Sequence, residues 1–173
     1  MKLHQLNATY VPAEDRVALR LRTREGAEVN LWLTRRMVKD LLGQARNAAE
    51  AEAAARAAAS PDPAAAAAAL AAFAEEAAVA GADFTTPYTA DAAAYPLGAD
   101  PLLVRRFELA REENGGVRVA FGMGQGKPAM SFRAPMAFAF RLRHLLARVG
   151  ASAGWDLPEP PPPPRAPGYA APN

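Results

Sequence analysis

The stretch "VALRLRTREGAEVNLWLTRRMVKDLL", Val17 to Leu42, decides how this chain folds. Leu19, Leu21 and Thr23 alternate with Arg20, Arg22 and Arg24, and Val29, Leu31 and Leu33 alternate with Asn30, Trp32 and Thr34. A period of two marks strands with one buried face. For the two apolar sets to share that face, Leu21 must stand opposite Val29, and Arg22 then falls opposite Glu28. This register leaves the loop Arg24-Glu25-Gly26, whose last residue is the glycine such hairpins need in a left-handed conformation. Thr34 is placed to cap a helix. Met37, Val38, Leu41, Leu42 and Ala45 then fall on one side of it.

A similar pattern recurs a hundred residues on, in "VRVAFGMGQGKPAMSFRAPMAFAFRLRHLL" from Val117. At an offset of 100, Val17, Leu19, Leu21 and Gly26 correspond to Val117, Val119, Phe121 and Gly126. At 101, Leu6 and Ala8 correspond to Phe107 and Leu109, and at 99, Leu31 and Leu33 correspond to Met130 and Phe132. Small slips at turns are the trace expected of a diverged duplication. Each unit reads strand, strand, strand, helix. The second helix has Pro135 in its first turn, Phe138, Leu142, Leu145 and Val149 at helical spacing, and Gly150 as its stop. The run "GMGQGK" lacks the spacing of a phosphate-binding loop, and Pro128 follows Lys127 where that loop needs Ser or Thr. It reads as the hairpin turn equivalent to "TREGAE", with Lys127 directed to water.

Alanine dominates the middle of the chain and favours helix intrinsically. Two helical pieces separated by "SPDP" are expected there, followed by a loop over 82–101. The end, "PEPPPPPRAPGYAAPN", offers few backbone donors and is expected to be extended and disordered. The expected organisation is a first βββα copy over 1–46, an alanine-rich acidic helical insert and loop over 47–101, a second copy over 102–157 and a tail from 158. The apolar faces of sheets and helices can be buried only against each other. The fold class is therefore α+β, a two-layer domain in which the two βββα copies pack together.

The net charge of +2 hides a strong segregation. Residues 1–46 carry nine Lys/Arg against five Asp/Glu, residues 47–101 one against eight, and residues 102–150 nine against three. Two basic blocks flank an acidic one. Cysteine is absent and the two histidines, His4 and His144, lie far apart. That argues against disulfides, thiol nucleophiles and a zinc centre. No metal or other cofactor is expected. The first residues lack the apolar core of a secretory signal. The longest apolar run is alanine broken by Glu75 and Glu76, so neither a membrane span nor a membrane partner is expected. A cytoplasmic protein is expected.

The candidate site is a set of arginines. Arg20 and Arg22 share a strand face with Asn30 and Trp32, and Arg35 and Arg36 open the following helix. Cations there oppose the helix dipole, while the free amides beside them attract anions. In the second unit Arg133 is expected at the matching corner, with Arg118 on the polar strand face and Ser131 in the place of Trp32. Arginines and an aromatic on an open sheet are how several single-stranded nucleic-acid binders work. Against this, Arg22 faces Glu28, Arg36 stands four residues before Asp40, and the acidic block is able to fold over the face. Trp155 reads as a packing anchor. Glu14, Asp15 and Asp40 form no acid–base or metal pattern, so a non-enzyme is expected. The first expectation is an interaction module that binds a protein partner or itself, through an open sheet edge or the alanine-rich stretch. The alternative is a single-stranded nucleic-acid-binding protein.

Overall fold

The computed structural model describes residues 3–83, 86–89, 92–124, 126 and 128–157. The extended tail expected from residue 158, and the direction of Lys127, lie outside the described residues. The chain forms β1 (Leu3–Val11), β2 (Arg16–Thr23), β3 (Glu28–Thr34), α1 (Arg35–Ala57) and α2 (Pro63–Ala80). It continues with β4 (Leu102–Leu103), β5 (Arg106–Arg111), β6 (Gly116–Gly122), β7 (Met130–Pro135) and α3 (Met136–Ser152). This is an α+β fold with two sheets, ordered β1-β2-β3-β4 and β5-β6-β7, and three helices.

The first hairpin keeps the register that alternation requires. Leu21 pairs with Val29, Arg22 with Glu28 and Leu19 with Leu31. Gly26 turns the chain at φ 80°. The Thr34 side chain accepts from the Met37 N–H at 3.2 Å and starts α1. Met37, Val38, Leu41, Leu42 and Ala45 are all buried.

α1 does not stop where that apolar stripe ends. It runs on through the alanines to Ala57, burying Ala48, Ala49, Ala53 and Ala57 on the same side. Between 46 and 57 Asn47 is the one weak helix former and neither Gly nor Pro occurs, so nothing local ends it. α2 follows, capped by Asp62, whose side chain accepts from the Ala65 N–H at 3.1 Å.

Three local expectations in the second half need correction. Pro135 precedes α3 as its N-cap rather than standing in its first turn. Gly150 does not end α3, which continues to Ser152, with Gly154 beyond it at φ 68°. A Cβ on Gly150 would come within 2.1 Å of Leu157 Cδ1, so the glycine lets the chain after the helix fold back onto it. The offset of 99 fails as well. Phe121 pairs with Met130 and Val119 with Phe132, as Leu21 pairs with Val29 and Leu19 with Leu31. Equivalent positions in the third strands are therefore 101 apart. The turn is one residue longer, and the Ala129 N–H joins Met130 opposite Phe121.

One core unites both sheets with α1 and α3. Each helix crosses over: α1 lies along β5 of the second sheet and α3 along β1 of the first. Leu19, Leu21, Leu31, Leu33, Leu41, Leu142 and Leu146 are essentially inaccessible. Each stabilises the fold by about 1.5–3 kcal/mol relative to exposure. The end of the described chain is pinned to the β1–β2 turn. Buried Trp155 donates from Nε1 to Asp15 Oδ1 at 3.1 Å, and its ring meets Tyr10 edge-on at 5.5 Å. Tyr10 donates to the same Asp15 oxygen at 2.9 Å, and that hydrogen bond raises its phenol above the ordinary value. Trp155 is the anchor its position promised.

Candidate interaction surfaces

The polar face of the first sheet holds the predicted set. Arg20 pairs with Asn30 and Ala18 with Trp32, so Arg20, Arg22 and Trp32 do share one side. The segment between α2 and β4 lies against that side, with Arg20 still exposed and Arg22 half-buried. The Tyr88 ring lies 6.0 Å from the Arg20 guanidinium, and its hydroxyl donates to Glu28 Oε2 at 2.6 Å. Arg22 donates from Nη1 to the Thr89 carbonyl, and Asn30 Nδ2 donates to the Ala99 carbonyl at 2.9 Å. Burial, then the hydrogen bond to Glu28 and its charge, push the Tyr88 phenol well above the ordinary tyrosine range, with Arg20 and Arg22 opposing.

The same segment closes the outer edge of β3. The Glu28 N–H donates to the Ala94 carbonyl at 2.9 Å, and Ala93 donates back to Gly26 at 2.9 Å. β4 then pairs in parallel with Leu31 and Trp32, and the Val104 N–H donates to the Trp32 carbonyl at 3.0 Å. The helix-start arginines are exposed. Arg35 reaches the Asp156 carbonyl at 3.4 Å. Arg36 makes no ion pair among the described residues, and Asp40, its expected partner, accepts from Gln44 instead.

The second sheet differs. Arg118 stands between Ala110 and Arg133, a direct pair of like charges across β6 and β7. Arg133 also bonds Glu112 at 2.9 Å while keeping 78% of its side chain exposed. Arg133 does not occupy the corner of Arg35: by the pairing it stands where Trp32 stands in the first sheet, opposite the residue equivalent to Ala18. Around these arginines the face is small, with Ala110, Ala120 and Ser131. The β5 edge is closed by Gln44 of α1, whose Nε2 donates to the Phe107 carbonyl at 3.0 Å and whose Oε1 accepts from the Leu109 N–H at 2.9 Å. The β7 edge has no neighbouring strand among the described residues.

α2 presents a third surface. Its sole buried residue is Ala78, while Leu70 is 37% and Phe73 71% exposed. It is tied down at one end. Arg143 of α3, only 7% exposed, donates from Nη1 to both carboxylate oxygens of Glu75 at 2.8 Å. Arg141 caps the C-terminus of α2, donating to the Ala78 and Gly81 carbonyls at 3.0 and 3.1 Å. Beside Leu70 a groove of about 320 Å³ runs between the three helices, floored by Ala74, Met136 and Phe140. By length and composition α2 is also apolar enough to cross a membrane, which its alanine content did not lead us to expect.

The exposed Phe73 is, with Leu70 and Val79, one of the few large residues of the alanine-rich stretch, whereas the covering Tyr88 was not singled out from the sequence. Phe73 stands alone among alanines, which is itself the available signal. Tyr88 acts through contacts sixty residues away and leaves no local pattern. Comparison of the chain with protein-family models, curated proteins and solved structures gives no match.

Proposed function

We propose that this protein is a cytoplasmic, non-catalytic interaction module that self-associates through α2. The observation that carries the reading is Phe73, 71% exposed on an 18-residue helix with one buried residue. An apolar helix normally has a cover, and a large exposed apolar side chain on such a face marks an interface. The groove beside Leu70 supplies the complementary hole on the same molecule, as a two-fold interface requires. Antiparallel pairing of α2 centred between Leu70 and Phe73 sets the half bearing Glu76 against the partner's half, whose groove includes the cation Arg56. Burying each Phe73 contributes about 1.5–3 kcal/mol. Sedimentation velocity tests this. A dimer that Phe73→Glu converts to a monomer is expected; a wild-type monomer at about 100 μM, a concentration at which a dimer of ~10 μM Kd is mostly associated, contradicts it.

We also read the two βββα units as diverged copies forming one two-layer domain. Matching pairs support this: Leu6 faces Leu21 and Ala8 faces Leu19, as Phe107 faces Phe121 and Leu109 faces Val119. Single-stranded nucleic-acid binding stays the second reading. It now rests on Arg118 and the largely exposed Arg133, because the Tyr88 ring and the Thr89 carbonyl lie against Arg20 and Arg22. It ranks lower because the second sheet's polar face carries no aromatic for a base to stack on. A mobility shift at low salt that Arg118→Glu abolishes would favour it.

A further inference from the structure

We infer that the open edge of β7 takes an extended acidic peptide from a partner protein as a fourth strand of the second sheet. This site is independent of α2. The direction of the backbone groups follows from the ladders. The Glu112 N–H donates to the Gly116 carbonyl, and Gln44 bonds the outer groups of Phe107 and Leu109. The even-numbered residues of β6 therefore bond β5, and the odd-numbered ones, Val117, Val119 and Phe121, bond β7. Phe132 and Ala134 spend their groups on Val119 and Val117. The N–H and C=O of Ser131 and Arg133 are left directed outward, and both residues are exposed.

The molecule contains its own example of what fills such an edge. On β3 the outward groups belong to Glu28 and Trp32, and they bond Ala94 and Val104 of the segment that follows α2. Up to residue 101 that segment belongs to the acidic block of the chain, and its Tyr88 ring and Thr89 carbonyl lie against Arg20 and Arg22. β7 offers the same backbone arrangement, and beside it Arg118 and Arg133 face each other across the ladder, with Arg133 paired to Glu112 yet 78% exposed. An added strand gains main-chain hydrogen bonds from the edge. Acidic side chains on its outer face add carboxylates beside Arg118 and the exposed side of Arg133, which together outnumber the single carboxylate of Glu112. Charge thus selects the occupant: acidic and extended.

The test uses the full chain and an acetylated, amidated nonapeptide alternating valine with glutamate, beside a second in which lysine replaces glutamate. Titration is followed by amide chemical shifts. The glutamate peptide is expected to shift the amides of β7, and the lysine peptide to leave them unmoved. Ser131→Pro removes the outward N–H, a change edge strands tolerate, and is expected to abolish binding with the circular dichroism retained. The double variant R118E/R133E leaves the edge intact. It should weaken the glutamate peptide at least about tenfold and admit the lysine one, since complementary charge sets partner choice. Equal binding of both peptides, binding of neither, or shifts in β7 produced only by a single-stranded oligonucleotide would overturn the proposal.

Discussion

Arg20 lies beneath the ring of Tyr88 and Arg22 beneath the carbonyl of Thr89, whereas Arg118 sits between Ala110 and Arg133. The two sheets bring arginines to corresponding strands but treat them differently. In the first, the chain lays the Tyr88 ring and the Thr89 and Ala99 carbonyls on the face and adds a strand to the β3 edge. In the second, Gln44 satisfies the β5 edge, while β7 has no neighbouring strand among the described residues and its arginine pair meets one carboxylate, that of Glu112. Sequence composition alone treats the two basic blocks alike. What separates them is where the acidic segment lands.

The comparison is broken most severely at Gln44. Its amide takes the place of a strand on β5, and Gln44→Leu leaves the Phe107 carbonyl and the Leu109 N–H without partners. Two buried unpaired groups cost about 2–6 kcal/mol in total, to be read in the urea midpoint. Next comes Tyr88→Phe, which removes a hydrogen bond to a buried carboxylate and should cost about 1–3 kcal/mol. The sign of its pH dependence is fixed. The folded state holds the phenol proton more tightly than the unfolded chain, so the contribution is complete below the unfolded tyrosine value of 10.0 and is lost as pH rises above it. Wild-type stability should fall above pH 10, and Tyr88→Phe should flatten part of that fall. Arg118→Ala has the smallest effect. Relieving a like-charge cross-strand pair should stabilise the free protein by about 0.2–1 kcal/mol, and less at high salt.

The first hairpin was legible because three local signals agree: alternation, Gly26 at the turn and Thr34 at the helix start. Its register followed residue by residue. The second hairpin was legible in outline only, since a longer turn and the doubled residue at Ala129 shift the third strand by two positions from the expected alignment. That shift moved Arg133 from a helix corner to the site equivalent to Trp32. The length of α1 was misjudged because alanine extends a helix without announcing where it ends. Gly150 misled because its missing side chain serves packing against Leu157, a tertiary reason that outweighs its helix-stopping tendency. The candidate arginines followed from strand alternation and the helix start, but what lies against them did not. Tyr88, Thr89 and Ala99 lie in a stretch without periodicity and act over sixty or more residues of separation.

The central claim is that the chain fills the β3 edge of one sheet and, among the described residues, leaves the β7 edge of the other without a neighbouring strand. Amide hydrogen exchange on the full-length protein tests it most directly. The Glu28 and Val104 N–H groups, bonded to Ala94 and Trp32, should be protected, while those of Ser131 and Arg133 should exchange at rates near those of an unstructured peptide. Protection of Ser131 and Arg133 equal to that of Glu28, in the free protein, would contradict the account.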